Sequence, residues 1–267
     1  MSAIRVRASS WAGLFDCAYR FEGIHLLGMY NRAGLRAALG TAIHAGTAAY
    51  DQAHIDRSGL TIDDAAGVLI DKLHDPENDF NPDADDLTMP DAERIGIALL
   101  DKYCRTITPS YRFAAVEMET KPLDIDCGGG IVVQLTGTMD RARVCARTDG
   151  IGIADVKSGG AAVAKGVAKV QGHGPQLGTY EILFEHTTGE RITADAEIIG
   201  LKTNGTPEIG TGVVRNAKAM MLGTDDQPGL IEFAARMFRS GDFYPNSRSL
   251  LCSPKYCPRH ATCHFHE

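Results

Sequence analysis

The segment Ile153-Ala154-Asp155-Val156-Lys157 decides how this 267-residue chain folds and what chemistry it carries. Apolar residues frame its two charged ones, which predicts a strand over residues 151–156. Because side chains alternate between the faces of a strand, Asp155 and Lys157 project from the same face. A second segment, Gly137-Thr138-Met139-Asp140-Arg141, adds a carboxylate on the preceding predicted strand. A carboxylate beside a lysine, with another aspartate on a neighbouring strand, is what a hard divalent cation needs.

These residue types indicate chemistry at a phosphate group. Two carboxylates and a backbone carbonyl hold Mg²⁺ or Mn²⁺ while water and phosphate oxygens complete the octahedron. A lysine at such a site can orient or deprotonate the attacking water and offset developing negative charge. Taken by itself, the segment is also compatible with an exposed ion pair between Asp155 and Lys157, because short patterns of this kind often occur without a function.

The turn between the two strands determines whether the aspartates meet. A tight hairpin centred on Asp149-Gly150 would place Asp140 opposite Gly159. Asp155 would then lie four residues away, ~13 Å at ~3.3 Å per residue. We therefore expect a longer turn or a bulge that shifts the register and brings the two acids together.

Along the rest of the chain, hydrophobic periodicity and turn residues predict an α/β fold, most economically in one domain. Helices are predicted over residues 35–55, 62–73, 91–107, 176–186 and 230–240. Strands are predicted over residues 112–119, 131–147, 196–202 and 208–214. A further helix would begin at an N-cap, Ser9 or Ser10, and present an apolar face of Leu14, Phe15, Ala18 and Phe21.

The net charge of −7 argues mildly against a partner that is bound by charge, such as nucleic acid. The acids are unevenly distributed, however. Residues 63–101 contain twelve acidic residues against two basic ones, a balance of −10, so the rest of the chain carries +3. The overall sign therefore says little about the working surface.

Two observations bear on the compartment. No run of about 18 apolar residues occurs, which excludes a membrane-spanning helix. The N-terminal residues carry two arginines and no apolar segment, unlike a signal peptide. We expect a cytoplasmic protein without a membrane partner.

Further polar residues stand in positions where they could join the two aspartates. His44 follows Gly40 by four residues on a helix of small residues, and its imidazole could bind a metal or simply pack in the core. Glu117 lies in the strand before Asp140. Gln176 and Tyr180 lie one helical turn apart, where they could hydrogen-bond a phosphate or the lysine, or only form a helix surface.

In their order along the chain, these motifs resemble the RecB-type branch of the PD-(D/E)XK nucleases, which includes Cas4 proteins and phage RecB-like exonucleases. The motifs are Gly40…His44, Glu117, Gly137 to Arg141, Asp155 to Gly159, and Gln176…Tyr180. The resemblance extends from about Ser9 to Cys263. It implies a restriction-endonuclease-like core, with a central mixed sheet flanked by helices and a helical N-terminal insertion.

The resemblance also implies roles for individual residues. His44, Asp140 and Asp155 would ligate Mg²⁺ or Mn²⁺, and the Val156 carbonyl would complete the protein ligands. Glu117 would contact the metal through water.

Three further residues would act with this metal. Lys157 would be the catalytic lysine, and Gln176 and Tyr180 would support DNA binding or the lysine. Where the family usually has Asp-Tyr-Lys-Thr-Gly, this chain has valine and serine at Val156 and Ser158, which are conservative departures.

The seven cysteines include four that the resemblance assigns to a [4Fe–4S] cluster, namely Cys17, Cys252, Cys257 and Cys263. Four thiolates suit either an iron–sulfur cluster or Zn²⁺. Four residues separate the first two C-terminal cysteines, whereas Cas4-like proteins more often have two there. The alternative is a zinc site that combines Cys252 or Cys257 with His260, His264 and His266. The other three cysteines, Cys104, Cys127 and Cys145, are interpreted as core thiols.

The resemblance also suggests how the chain is divided. It predicts one nuclease domain over residues 1–267, with a helical subdomain at about 56–108, a nuclease core at about 109–240 and a cysteine tail at 241–267 joined to Cys17.

Basic and aromatic residues could bind DNA, in two groups. The first group is Arg141, Arg143, Lys157, Lys165, Lys169 and His173, and the second is Arg236, Arg239, Arg248, Lys255 and Arg259 with Phe243, Tyr244 and Tyr256.

The sequence therefore predicts a metal-dependent deoxyribonuclease. We expect an exonuclease that acts on DNA ends or single strands, in a phage or CRISPR-associated setting with a recombination or CRISPR-adaptation partner. The alternative is a non-catalytic DNA-binding or scaffolding module on the same fold, with a structural metal site.

Overall fold

The computed structural model describes residues 3–266, so that Glu267, the last residue of the predicted tail, lies outside the described part of the chain. The α-helices are α1 (Trp11–Asp16), α2 (Ala18–Phe21), α3 (Leu35–Asp56), α4 (Ile62–Leu73), α5 (Met89–Thr106), α6 (Gly174–Thr188), α7 (Ala217–Leu222) and α8 (Leu230–Ser240). The strands are β1 (Ile4–Arg7), β2 (Arg112–Glu119), β3 (Leu123–Asp126), β4 (Val132–Thr136), β5 (Thr138–Val144), β6 (Ile151–Gly159), β7 (Val163–Ala164), β8 (Val167–Ala168), β9 (Ala196–Lys202), β10 (Glu208–Val214), β11 (Gly223–Thr224) and β12 (Gln227–Pro228).

Seven of these strands form one mixed sheet, in the order β2-β5-β6-β9-β10-β8-β7. Strands β2, β5 and β6 pair antiparallel in succession. Strand β9 runs parallel to β6. A parallel neighbour requires a crossover connection, and α6 lies in that connection.

Helices pack on both faces of this sheet. On one face, α3, α4 and α5 share a hydrophobic core with the sheet that includes Leu69 of α4 and Val156 of β6. On the other face, Leu177 of α6 belongs to a core with Ile153 of β6. The predicted α/β fold, with a central mixed sheet flanked by helices, is confirmed.

A second, three-stranded sheet brings the two ends of the chain together. Strand β4 lies in its centre, parallel to β1 and antiparallel to β3. Its core contains Trp11 from α1, Leu135 from β4 and Phe238 from α8. A backbone hydrogen bond also joins the two ends of the chain, since the Tyr19 N–H donates to the Tyr244 carbonyl at 3.2 Å. The segment around Cys17 is thereby held next to the C-terminal tail.

Several elements lie where the sequence predicts them, but the single strand over residues 131–147 was wrong. Strand β4 ends at Thr136, β5 begins at Thr138, and the two belong to different sheets. Gly137 between them passes close beneath Tyr180, where a Cβ would lie 2.8 Å from the ring carbon Cε1. The absence of a side chain therefore permits the crossing from one sheet to the other.

The first helix was predicted only in part, since Leu14, Ala18 and Phe21 are buried as expected but the helix is interrupted. Ser10 lies at the N-cap of α1 but makes no side-chain capping bond, and its hydroxyl donates to the Arg7 carbonyl instead. The extended backbone of Cys17 separates α1 from α2. Phe15, predicted on the apolar face, is largely exposed. Strands β1 and β3 and helix α7 were not predicted, because they are short and have no strong periodicity.

Within residues 3–266, none of the helices combines the length and the apolar character needed to cross a membrane.

Candidate active site

Strands β5 and β6 are joined by the six-residue connection 145–150 rather than by a two-residue turn. The Cys145 N–H donates to the Gly150 carbonyl, and the Cys145 carbonyl accepts from Thr148 and Asp149. The longer connection places Arg141 opposite Ala154, so the predicted register shift is confirmed. Asp140 precedes Arg141 and Asp155 follows Ala154, so the two aspartates come next beyond this pair on the neighbouring antiparallel strands.

The ladder between β5 and β6 ends at this pair, and the site begins where the strands separate. The Val156 N–H donates to Asp140 Oδ2 at 2.9 Å rather than to a backbone carbonyl. The bond fixes the buried Asp140 carboxylate between the two strands. A carboxylate that bonds the backbone at a strand divergence is held rigidly, as a metal ligand must be.

Glu117 reaches the same place from β2. It lies between the pairs Val116–Arg141 and Met118–Met139. Its φ is +45°, a left-handed conformation that costs energy for a residue with a side chain. Its side chain remains 43% exposed. Partial burial raises the pKa of Glu117, and the charge of Asp140 raises it further.

Helix α3 supplies His44, which completes a group of three potential ligands. Gly40, one turn earlier, allows the helix to approach β6, because a Cβ at Gly40 would lie 2.9 Å from Ser158 Oγ. His44 Nδ1 lies 3.4 Å from Asp140 Oδ2. Donor atoms of His44, Glu117 and Asp140 all lie within 4.8 Å of one another. Burial lowers the pKa of His44, which keeps a nitrogen lone pair available at neutral pH.

This donor set fits a divalent cation. An imidazole and two carboxylates are ligands that Mn²⁺ and Mg²⁺ accept. The structure places Glu117, predicted to act through water, in the group itself, whereas Asp155 lies beside it. Asp155 Oδ2 is buried, and the charged group that faces it is the Lys157 ammonium.

Asp155 is held by Lys157 and Gln176. Its side chain is 1% exposed, and Lys157 Nζ lies 2.6 Å from Oδ2 in an ion pair whose angles fall outside those of a hydrogen bond. Gln176 Nε2 donates to Asp155 Oδ1 at 3.2 Å and to the Tyr180 hydroxyl at 3.2 Å. Burial, together with the charge of Asp140, raises the pKa of Asp155 to about 7. The predicted residues Lys157, Gln176 and Tyr180 are thus brought together around this carboxylate.

Behind the site lies a buried ion pair that was not predicted from the sequence. Arg141 Nε donates to Asp51 Oδ2 at 2.7 Å, and both side chains are completely buried. Tyr103 and Thr108 donate their hydroxyls to the two Asp51 oxygens. Arg141 also donates to Glu117 Oε1 at 3.2 Å and so connects the buried network to the site. The sequence did contain a signal for the position of Asp51, because this residue lies two helical turns after His44 on the same face of α3.

A cleft of about 720 Å³ opens beside Lys157 and Gln176. One wall contains Lys169, Gln171 and His173, and the other contains residues of α1 and of the C-terminal tail. Burial lowers the pKa of His173 to about 4, with the positive charges of Lys157 and Lys169 adding to the effect. His173 is therefore neutral at pH 7 and can donate or accept a hydrogen bond in the cleft.

Several basic residues predicted to contact DNA instead have structural partners. Arg141 is buried on Asp51, and Arg143 is buried on Glu197 at 2.9 Å. Arg239 donates to the Cys127 and Gly128 carbonyls, and Arg259 is buried on Glu22 at 2.7 Å. The three buried arginines, Arg141, Arg143 and Arg259, cannot turn to a phosphate without leaving a buried or half-buried carboxylate unpaired. Of the first predicted group, the cleft is lined by Lys157, Lys169 and His173.

The four cysteines assigned to a cluster line one small cavity between α1, α2 and the tail, namely Cys17, Cys252, Cys257 and Cys263. Burial raises the pKa of Cys257, and the nearby thiols of Cys17 and Cys263 act in the same direction. His260 and His266 also line the cavity, with ring centroids 4.2 Å apart, while His264 is exposed outside it.

The three remaining cysteines are not all core thiols, as had been predicted. Cys104 is buried on the inner face of α5, but Cys127 and Cys145 are partly exposed. Cys145 lies in the connection between β5 and β6, where hydrogen bonds from Thr148 and Arg147 lower its pKa to about 7.

Comparisons with known proteins place this geometry in context. The family model described as the PD-(D/E)XK nuclease superfamily matches residues 7–264. The fold is similar to the crystal structure of a "putative exonuclease" from Eubacterium rectale, with a TM-score of 0.54 and 12% sequence identity over 92% of this chain and 85% of that one. At this identity the likeness concerns the fold alone. No curated protein matches the chain.

Proposed function

The chain belongs to the PD-(D/E)XK nuclease superfamily, and from this premise we propose that it is a Mg²⁺- or Mn²⁺-dependent deoxyribonuclease. We further propose an exonuclease of the RecB-like and Cas4-like branch that hydrolyses phosphodiester bonds at DNA ends or in single strands. The single observation that carries the proposal is that donor atoms of His44, Glu117 and Asp140 lie within 4.8 Å of one another beside the Asp155–Lys157 pair.

The metal would be held by His44, Glu117 and Asp140, with Asp155 and the Val156 carbonyl as the remaining protein ligands. When bound, it would lower the pKa of a coordinated water and neutralise negative charge on the phosphate. The Asp155 carboxylate already faces the Lys157 ammonium through Oδ2, so it would hold the metal and the lysine side by side.

The protein's own residues would orient the reactants. Lys157, with its side chain 26% exposed, can hold the attacking water and stabilise the charge that builds up on the phosphate oxygens. The water oxygen would form a bond to phosphorus while the opposite P–O ester bond breaks, and the leaving oxygen would take up a proton. Gln176 keeps the Asp155 carboxylate in place, and Lys169 offers a second positive charge for a neighbouring phosphate.

We also propose that Cys17, Cys252, Cys257 and Cys263 bind a [4Fe–4S] cluster. All four of these cysteines line the one cavity between α1, α2 and the tail, and four thiolates are the ligand set that such a cluster takes. A zinc site that includes His260 or His266 is the alternative.

A nuclease assay tests the proposed activity. End-labelled linear DNA is incubated with Mn²⁺ and either the wild type or Lys157→Ala, with Lys121→Ala, an exposed lysine outside the cleft, as the matched control. We expect the rate to fall roughly 100-fold or more for Lys157→Ala and to be unchanged for the control. Equal degradation by Lys157→Ala would refute the catalytic role of the lysine.

Linear and circular single-stranded substrates distinguish exonuclease from endonuclease cleavage. An exonuclease degrades linear single strands and spares circular ones, whereas an endonuclease cuts both. DNA binding without any degradation, by the wild type with Mg²⁺ or Mn²⁺, would support the non-catalytic module instead.

A further inference from the structure

Leu250 has an unusual environment for a leucine. It is 94% exposed, yet it lines the cleft into which Lys157 opens. An apolar side chain in this position gains nothing from the folded protein, since it is as hydrated there as in an unfolded chain.

The backbone holds Leu250 firmly in this exposed position. The Cys252 N–H donates to the Ser249 carbonyl at 2.9 Å, so that Leu250 and Leu251 form the corner of a turn. Ser249 is buried, and its hydroxyl donates to Asp16 Oδ2 at 2.5 Å. Asn246 donates to the Asp16 carbonyl at 2.9 Å and fixes the start of the same segment. The turn is therefore attached to α1 on one side and leads into the cysteine cavity on the other.

The wall that shares the cleft with Leu250 has a different chemistry. It presents the ammonium groups of Lys157 and Lys169 and the amides of Gln171 and Gln176. Lys169 is exposed and has no ion-pair partner among residues 3–266. Burial lowers the pKa of the neighbouring His173, and the positive charges of Lys157 and Lys169 lower it further.

The Asp16 carboxylate and the Arg20 guanidinium, which also line the cleft, pair with each other at 3.3 Å. A cleft that combines the lysine ammonium groups with a fixed apolar side chain matches a polymer with a charged backbone and flat apolar side groups. An unpaired nucleic-acid strand has that character, because its phosphates can contact the lysines while its bases stack on protein side chains. In a duplex, the base faces are covered by their neighbours in the stack and are not available to Leu250. Ile24, which lines the same cleft, would extend the apolar surface.

We infer that Leu250 packs against an unpaired nucleobase in this cleft and that this contact makes the site select single strands over duplexes. The inference rests on the proposed function and deepens it, because it names the form of the substrate and the side chain that recognises it.

Binding measurements without a catalytic metal test this contact separately from cleavage. A labelled single-stranded oligonucleotide and a matched strand with abasic sites in place of its nucleobases are titrated, in EDTA, with the wild type and Leu250→Ala. We expect Leu250→Ala to bind the complete strand roughly fivefold more weakly, because the variant loses most of the apolar area that the leucine would bury against the base. Both proteins should bind the abasic strand equally, because no base is present to contact Leu250.

Two further variants complete the design. Leu222→Ala removes a leucine that is 55% exposed at the end of α7, outside the cleft, and should bind both strands as the wild type does. Leu250→Phe should restore or exceed wild-type binding of the complete strand. Equal losses on both strands, or no loss, for Leu250→Ala would overturn the role of Leu250 while leaving the nuclease proposal intact. A wild type that neither binds nor degrades DNA would refute both.

Discussion

Arg141 and Asp51 form an ion pair of 2.7 Å in which neither side chain has any contact with solvent. The pair connects helix α3, which carries His44, to strand β5, which carries Asp140. Every Asp51 oxygen has a hydroxyl donor as well, from Tyr103 or Thr108. The geometry of the site therefore depends on a buried network that reaches the proposed ligands through the hydrogen bond from Arg141 to Glu117.

Asp51→Asn is expected to destabilise the protein strongly. The substitution leaves the Arg141 guanidinium buried without its counter-charge, which costs ~3–5 kcal/mol. The free energy of unfolding, measured by urea denaturation, should fall by about that amount. Asp149→Asn is the matched control, since Asp149 pairs with Arg112 at an exposed position and such a pair contributes ~0–1 kcal/mol. Equal losses for the two variants would mean that the buried pair contributes no more than a surface one.

Asp140→Asn is expected to weaken metal affinity strongly while preserving the fold. The asparagine oxygen can still accept the hydrogen bond from the Val156 N–H, but the negative charge that attracts the cation is lost. Calorimetric titration with Mn²⁺ should show an affinity at least roughly tenfold lower than that of the wild type. Asp242→Asn changes an exposed carboxylate outside the group and should bind as the wild type does. Unchanged affinity in Asp140→Asn would remove Asp140 from the ligand set.

The strands that carry the site could be predicted because their apolar residues are buried on both faces and leave a continuous pattern. The register of β5 and β6 could also be predicted, since only a longer connection brings Asp140 near Asp155. What could not be predicted was the break at Gly137, because a change of sheet leaves the apolar pattern uninterrupted. The passage under Tyr180 is a tertiary contact between residues 43 positions apart.

The site likewise combines features that the sequence predicts with features that only the fold reveals. The residue types and order of His44, Asp140, Asp155 and Lys157 indicate a metal site without any structure. The partners of Arg141 and Arg143 could not be found in the same way, because a basic residue beside a site looks the same in sequence whether it faces solvent or a buried carboxylate. Only the fold distinguishes the two.

Cys17→Ser is expected to remove the cluster that we propose. Wild-type protein purified without oxygen should absorb at about 400 nm, as iron–sulfur proteins do, and the variant should lose this band. Cys145→Ser changes a partly exposed thiol far along the chain from the cavity and should keep the band. A colourless wild type with one equivalent of zinc would replace the iron–sulfur proposal with the zinc site.

Glu181 is expected to make the stability of the protein fall as the pH rises. Burial raises the pKa of Glu181 to about 7, although the Lys218 N–H and ammonium counteract this effect. The folded state therefore binds a proton more tightly than the unfolded state, whose glutamate has its ordinary pKa. This contribution to stability is complete below about pH 4.5 and is lost as the pH rises through 7, a change on the order of 3 kcal/mol.

Glu181→Gln removes this titration while it keeps an oxygen for the Lys218 N–H. The variant should match the wild type near pH 4.5 and exceed its free energy of unfolding at pH 8 by up to ~3 kcal/mol. Urea denaturation at several pH values measures both, with Glu190→Gln as an exposed control that should follow the wild type. The same decline between pH 5 and pH 8 in Glu181→Gln would show that another group causes it, because a neutral amide cannot titrate in that range.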